Sequence, residues 1–182
     1  MIHNLTAAIV ALFQEQLDGV KVQASPFTST PSGSDLPAIG VYPGKFAIQQ
    51  TARELLPTPH EEASKQKLTL QCEFQQELLL DVYGADAGEA EKWASLACNV
   101  ILSSTDELLH SIDADKAGYR SGTFNSVHLP KQLKLVEGSS SLADNIWSYR
   151  LKFNVAGELR LIRLFPEKPA VISEVVIEQK LG

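Results

Sequence analysis

The chain has 182 residues, 44% of them hydrophobic and 21% charged, with a formal net charge of -6. That length sets one domain, 1–182, as the default, and that composition excludes a wholly disordered chain. The negative balance argues against duplex binding by phosphate neutralisation.

The charge is unevenly spread. Residues 1–144 carry 10 basic and 18 acidic side chains, whereas 145–182 carry 6 basic and 4 acidic. A basic end on an acidic body allows copies or partners to dock by complementary charge; chance explains the asymmetry equally well. Cys72 and Cys98 sit in no CxxC or Cys/His cluster. Each falls on an apolar face, so buried free thiols in a reducing compartment are expected. No run approaches the ~18 consecutive apolar residues of a spanning helix. The opening lacks a basic region followed by a long apolar core, so no secretory signal is expected.

Residues 2–17 predict an amphipathic helix through Leu5, Ile9, Leu12, Phe13 and Leu17, stopped at Asp18-Gly19. Residues 20–24 predict a short strand. The run 25–37 (SPFTSTPSGSDLP) predicts a mobile loop, long enough to be an interaction element. Residues 38–42 predict a strand ended by Pro43-Gly44, and 46–56 an extended arm. A second Pro-containing loop is expected at 56–65.

The stretch 67–83 dominates the pattern. Leu68, Leu70, Cys72, Phe74, Leu78, Leu80 and Val82 alternate with mostly polar neighbours. Period two places one parity on one sheet face. Such a run reaches ~50 Å at about 3.3 Å per residue, well beyond an ordinary strand. Gln76 enters the apolar parity, so a bend or a bulge at Gln75-Gln76 is expected there. Next comes a helix over 87–103, with Asp86 and Glu89 spaced as a capping box. Ala90, Trp93, Ala94, Ala97, Cys98 and Ile101 form its stripe; a helical turn follows at 105–110.

Residues 111–127 are weakly patterned. A short strand is expected at 132–137 and a turn at 138–144 (GSSSLAD). Trp147, Tyr149, Leu151, Phe153 and Val155 alternate cleanly with polar residues and pair antiparallel with part of 67–83. Residues 159–165 continue or return after Gly157; Pro166 and Pro169 then break the strand. Residues 171–179 are β-branched, and 170–182 form a candidate C-terminal arm. The fold expected is α+β: a mainly antiparallel sheet with two helices on one face and extended strands or arms for subunit contacts.

Candidate chemistry is thin. Gly40 to Lys45 (GVYPGK) is one residue short of a phosphate loop, carries proline where an amide is needed, and has Phe46 in the Ser/Thr place. Asp113 and Asp115 open like a calcium loop, but its twelfth position is Phe124. His60, Glu61 and Glu62 have no further histidine at helical spacing, and His3, His110 and His128 are isolated. No GxSxG elbow supplies a nucleophile. Asp106 and Glu107 point apart on a helix. Trp93, Trp147, Tyr149 and Phe153 are not interleaved with a basic patch, so base stacking is not expected. No catalytic, metal or cofactor residues are assigned, and no cofactor is expected.

Two features meet in order. A short opening helix, Met1-Ile2-His3-Asn4-Leu5, runs into Gly19-Val20-Lys21-Val22; later a long strand ending Leu78-Leu79-Leu80-Asp81-Val82-Tyr83-Gly84 passes directly into the helix of Ala90 and Ile101. Over 1–110 this order and spacing resembles the tail-terminator, or tube-cap, proteins of contractile phage tails and phage-tail-like contractile injection systems. The resemblance implies a structural protein and no enzyme: a homo-hexameric ring that caps the tail tube and the last sheath ring, and joins the neck in a phage. The implied partners are the tail tube protein, the sheath protein and a neck or connector protein. DNA is only passing cargo, and no membrane is involved. The implied location is the virion tail assembled in the host cytoplasm, or the cytoplasm for an injection system. The interface residues expected are Arg150, Lys152, Arg160 and Arg163 in the basic end, with Val171, Ile172, Val175, Val176 and Ile177 as a strand for a partner's open edge. Two other readings stay open: another neck or baseplate adaptor, or a small cytosolic enzyme or ligand-binding domain with a site assembled from distant residues.

Overall fold

The computed structural model describes residues 2–48, 53–59, 65–110, 119–121, 124–143 and 145–166. The elements in chain order are helix α1 (Ile2–Gln16), strands β1 (Lys21–Gln23), β2 (Ala38–Ile48), β3 (Arg53–Pro59) and β4 (Lys65–Gly84), helices α2 (Ala87–Ser103) and α3 (Thr105–His110), then strands β5 (Tyr119–Ser121), β6 (Phe124–Ala143) and β7 (Ile146–Pro166). The seven strands form one sheet in the order β1-β2-β4-β7-β6-β5, with β3 also paired to β4. Among the described strands, only β1 and β2 pair parallel. Among the described residues the fold is α+β and mostly antiparallel, with α1 and α2 as the two full helices expected and α3 as the helical turn expected at 105–110.

The alternation in 67–83 becomes β4, twenty residues long. It pairs with β7 from Lys65↔Pro166 to Gly84↔Trp147 without a register shift. The expected bulge at Gln75-Gln76 is therefore absent from β4, and the irregularity falls on β2, between Pro43 and Phe46. Gln76 turns its amide onto that bulge, donating to the carbonyls of Gly44 and Lys45 at 2.9 and 3.2 Å. A buried amide with good partners can stand on an apolar face. Pro43 consequently does not end β2, which continues to Ile48.

Three other turn signals are overruled by pairing. The first part of the expected 56–65 loop, to Pro59, is instead the end of β3, whose register shift between Leu55 and Thr58 absorbs Pro57. The expected 138–144 turn is strand, because the GSSS run of β6 pairs with Ser148 to Leu151 on β7. Strand propensity is weak against an available ladder partner. The reversal falls beyond Ala143, with Asn145 at φ 61°, a conformation asparagine tolerates. Gly157 is no break either. A Cβ there would lie 2.2 Å from the Leu129 carbonyl oxygen and 2.7 Å from Pro130 Cα. Glycine lets β6 pass close at its own bulge, between Pro130 and Gln132.

The helices cover one face, here the inner face. Leu5, Ile9 and Phe13 of α1, Ala94, Ala97 and Ile101 of α2, and Leu108 of α3 pack on Val41, Leu78, Leu80, Val82, Leu151, Phe153 and Val155. The Asp86 side chain accepts from the Glu89 amide at 2.8 Å, and Glu89 Oε2 accepts from the Ala85 amide at 2.7 Å. Asp86 thus caps α2 as the spacing predicts, while Glu89 reaches the amide one residue before the cap and not that of Asp86 itself. Gly84 permits the abrupt strand-to-helix passage, since a Cβ there would lie 2.5 Å from the Ala90 nitrogen. A 17-residue α2 is ~25 Å long, whereas a 20-residue β4 is ~65 Å. The helices therefore cover the near end of the ladder, beside Gly84 and Trp147, and cannot reach its far end at Lys65 and Pro166.

Candidate interaction surface

On the outer face of the sheet, opposite the helices, charged side chains stand in directly opposed register. Asp81 faces Arg150, and Glu73 faces Glu158. Arg150 Nε donates to Asp81 Oδ1 at 2.6 Å and Nη2 to Oδ2 at 2.9 Å. The Tyr42 hydroxyl donates to Asp81 Oδ2 at 2.6 Å and accepts from Arg150 Nη2 at 3.2 Å. One cluster thus ties β2, β4 and β7 together. Further along, Lys152 Nζ pairs with Glu77 at 2.8 Å. Beyond that, the buried Glu158 takes Lys131 from β6 at 2.9 Å and also Arg160.

The electrostatics follow from these contacts. Burial and the hydrogen bond to Asp81 push the Tyr42 hydroxyl well above its ordinary range. The hydrogen bond to Asp81 raises Arg150 further. The hydrogen bond from Lys152, helped by the Lys45 amide, holds Glu77 below the usual carboxylate range, and Lys152 rises in return. Burial pushes Glu158 up, but its hydrogen bonds from Lys131 and Arg160 outweigh that and leave it lowered. Burial raises both cysteine thiols, and both are free.

Of the expected interface residues, Arg150, Lys152 and Arg160 share this outer face. Each spends its charge inside the subunit, on Asp81, Glu77 and Glu158. Arg163 has the opposite parity and is exposed near the far end, in register with Leu68 and Phe124. Val171, Ile172, Val175, Val176 and Ile177 lie outside the described residues, as do the His60 cluster and Asp113 with Asp115. Sequence reading missed the acidic and phenolic partners, Asp81, Tyr42, Glu77 and Glu158. Opposite charges at matching parity on the two long strands were the available signal, but only the register says which meet.

The phosphate-loop-like run lies within β2, with Gly44 and Lys45 at its bulge. Gly40 serves packing: a Cβ there would lie 2.9 Å from the Ser25 carbonyl and 3.3 Å from the Phe27 ring. Phe27 meets Tyr83 edge to face at 5.4 Å, and Pro31 is buried. Lys21 Nζ holds Asp35 at 2.8 Å. The 25–37 loop is therefore anchored on the near end of its own sheet, a correction to the mobile loop expected. Among the described residues, no three His, Cys, Asp or Glu side chains gather as a metal site, and no helix is long and apolar enough to cross a membrane.

Two features remain for contacts. The outermost described strands, β1 and β5, are three residues each, and the longer free edges are guarded over part of their length. β2 carries Pro43 and a bulge, β3 carries Pro57 and Pro59, and β6 carries Pro130, Lys131, Lys134 and two register shifts. Prolines, bulges and lysines are how sheets resist adding strands. The inner face, in contrast, turns apolar side chains outward where the helices stop. Phe46 stacks on Phe74 at 6.1 Å yet is 46% exposed, with Ile48 at 47% and Leu161 at 39%.

No family model and no curated protein matches the chain. Among solved structures it is similar to a chain described as "Virion of native gene transfer agent (GTA) particle", with 10% identity and a TM-score of 0.40. The match covers 86% of this chain and 94% of that one.

Proposed function

We propose that this chain is a phage-type structural protein, and specifically a tail terminator. Six copies close a ring that caps the tail tube and the last sheath ring, ends tail polymerisation, and in a phage meets the neck. The protein works by shape and makes no covalent chemistry. Its partners are its own copies, the tube protein, the sheath protein and a neck or connector protein, with DNA only passing through. Its place is the virion tail, or the cytoplasm for an injection system.

The single observation that carries this reading is the mismatch between ladder and cover. A sheet about two and a half times as long as its longest helix keeps an apolar face beyond its own core. Apolar side chains gathered on one exposed face mark contact surfaces. The order of opening helix, long strand and following helix supports the same reading.

Size-exclusion chromatography with light scattering, followed by electron microscopy with purified tail tubes, tests it. The expected result is a six-subunit ring seated on tube ends. Solitary monomers at every concentration, with bare tube ends, would sink the proposal.

A further inference from the structure

We infer that residues 171–177 of one copy seat on the inner face of the next copy beyond its helices, from Phe46 and Ile48 at mid-sheet to Leu161 toward the far end. This rests on the ring reading above. Those C-terminal residues lie outside the described ones, so the argument comes from where the described chain ends and what it leaves uncovered.

β7 runs from the near end to the far end of the sheet, and the described chain stops at Pro166, opposite Lys65. Its direction there leads away from its own helices. Sixteen residues follow, among them Val171, Ile172, Val175, Val176 and Ile177. Extended, sixteen residues span ~50 Å, enough to cross to an adjacent copy and run along it.

The surface to receive them is mainly apolar, with the exposed Arg163 at its far margin, and is a face, not an edge. Phe46, Ile48 and Leu161 share the inner side of the sheet, because Phe46 pairs with Gln76, Ile48 with Phe74, and Leu161 with Leu70. All are more than a third exposed. Addition to an edge is disfavoured by the prolines and bulges of β2, β3 and β6. The basic side chains of the outer face are already engaged, Arg150, Lys152 and Arg160 being matched by Asp81, Glu77 and Glu158. Leu96, Leu102, Val136 and Leu142 are also exposed, but they lie on α2 and on the part of β6 nearer Trp147; an apolar, β-branched segment leaving Pro166 matches the apolar side chains nearer its own end of the sheet. Each copy has one such segment and one such face. One donor and one acceptor per subunit, on different surfaces, is the head-to-tail contact from which closed rings are built.

The test uses the full chain with both native thiols removed, Cys72→Ala and Cys98→Ala. Copies carrying Leu161→Cys are mixed with copies carrying Val171→Cys, Val175→Cys or Ile177→Cys, then oxidised mildly. The expected result is a mixed disulfide between copies for at least one pair, absent when either copy is oxidised alone. Ile48→Lys, on an exposed side chain, is expected to abolish both the cross-link and the ring while leaving the far-ultraviolet circular dichroism spectrum of the folded subunit unchanged. Placing both cysteines in one chain and finding only intrachain closure at every dilution would overturn the inference. So would a ring that persists by light scattering with no mixed disulfide from any pair, or one indifferent to Ile48→Lys; either result leaves the ring reading standing. A parent protein that never forms a ring overturns both.

Discussion

Arg150 grips both carboxylate oxygens of Asp81 from the directly opposed position on the neighbouring strand, at 2.6 and 2.9 Å. The Asp81 side chain is only 8% exposed, whereas that of Arg150 is 56% exposed. The pair is therefore lopsided: solvent screens the cation, while the anion depends on its partners. Arg150→Ala is expected to cost about 1–3 kcal/mol, because it strands a nearly buried carboxylate with only the Tyr42 hydroxyl. Arg150→Ala/Asp81→Asn is expected to recover part of that loss. Urea unfolding of the single and double variants measures the coupling, and simple additivity would contradict it.

Gly157→Ala is expected to destabilise the fold by about 3 kcal/mol or more, since the new methyl group meets backbone on β6 at 2.2 Å and neither strand can yield freely. Gly88→Ala is the matched control. Its Cβ meets only Asp86 Oδ1 at 3.4 Å on the first turn of α2, so a gain of about 0.5 kcal/mol is expected. Thermal melts that ranked the two alike would show that β6 does not approach β7 this closely.

Gln76→Leu makes the apolar parity of β4 perfect, and is nonetheless expected to destabilise by about 1–3 kcal/mol. The amide it removes satisfies the Gly44 and Lys45 carbonyls at the β2 bulge. Chemical denaturation decides this directly. A leucine variant more stable than the parent would mean that water serves those carbonyls equally well.

Glu158 supplies the pH dependence. Its folded-state pKa lies below the ordinary 4.5, because the hydrogen bonds from Lys131 and Arg160 outweigh the cost of burial. A lowered acid contributes stability that is present above the unfolded-state pKa and is lost as pH falls through the folded one. Stability is therefore expected to decline below about pH 4.5, and Glu158→Gln is expected to make that decline shallower while lowering stability near neutrality. Denaturation midpoints from pH 7 to pH 3 test both limbs. Parallel curves for parent and variant would remove Glu158 from the account.

Local pattern determined much of this protein. The period of two in 67–83 specified β4 and its buried parity, the apolar stripe specified α1, and Asp86 with Glu89 specified where α2 begins. These are short-range signals, in which each residue reports its own backbone geometry and face. What the tertiary structure decided depends on residues far apart in sequence. Gly157, Pro43 and the GSSS run read locally as interruptions, yet each is absorbed into a strand because a partner ladder satisfies its backbone. Gln76 reads as a fault in β4, and its purpose lies on β2. The basic end reads as free charge for a partner, but the β4–β7 register delivers Arg150 to Asp81 and places Lys152 and Arg160 within reach of Glu77 and Glu158. A hydrogen bond or ion pair needs two groups within about 3 Å, and only register, a long-range property, says which two meet.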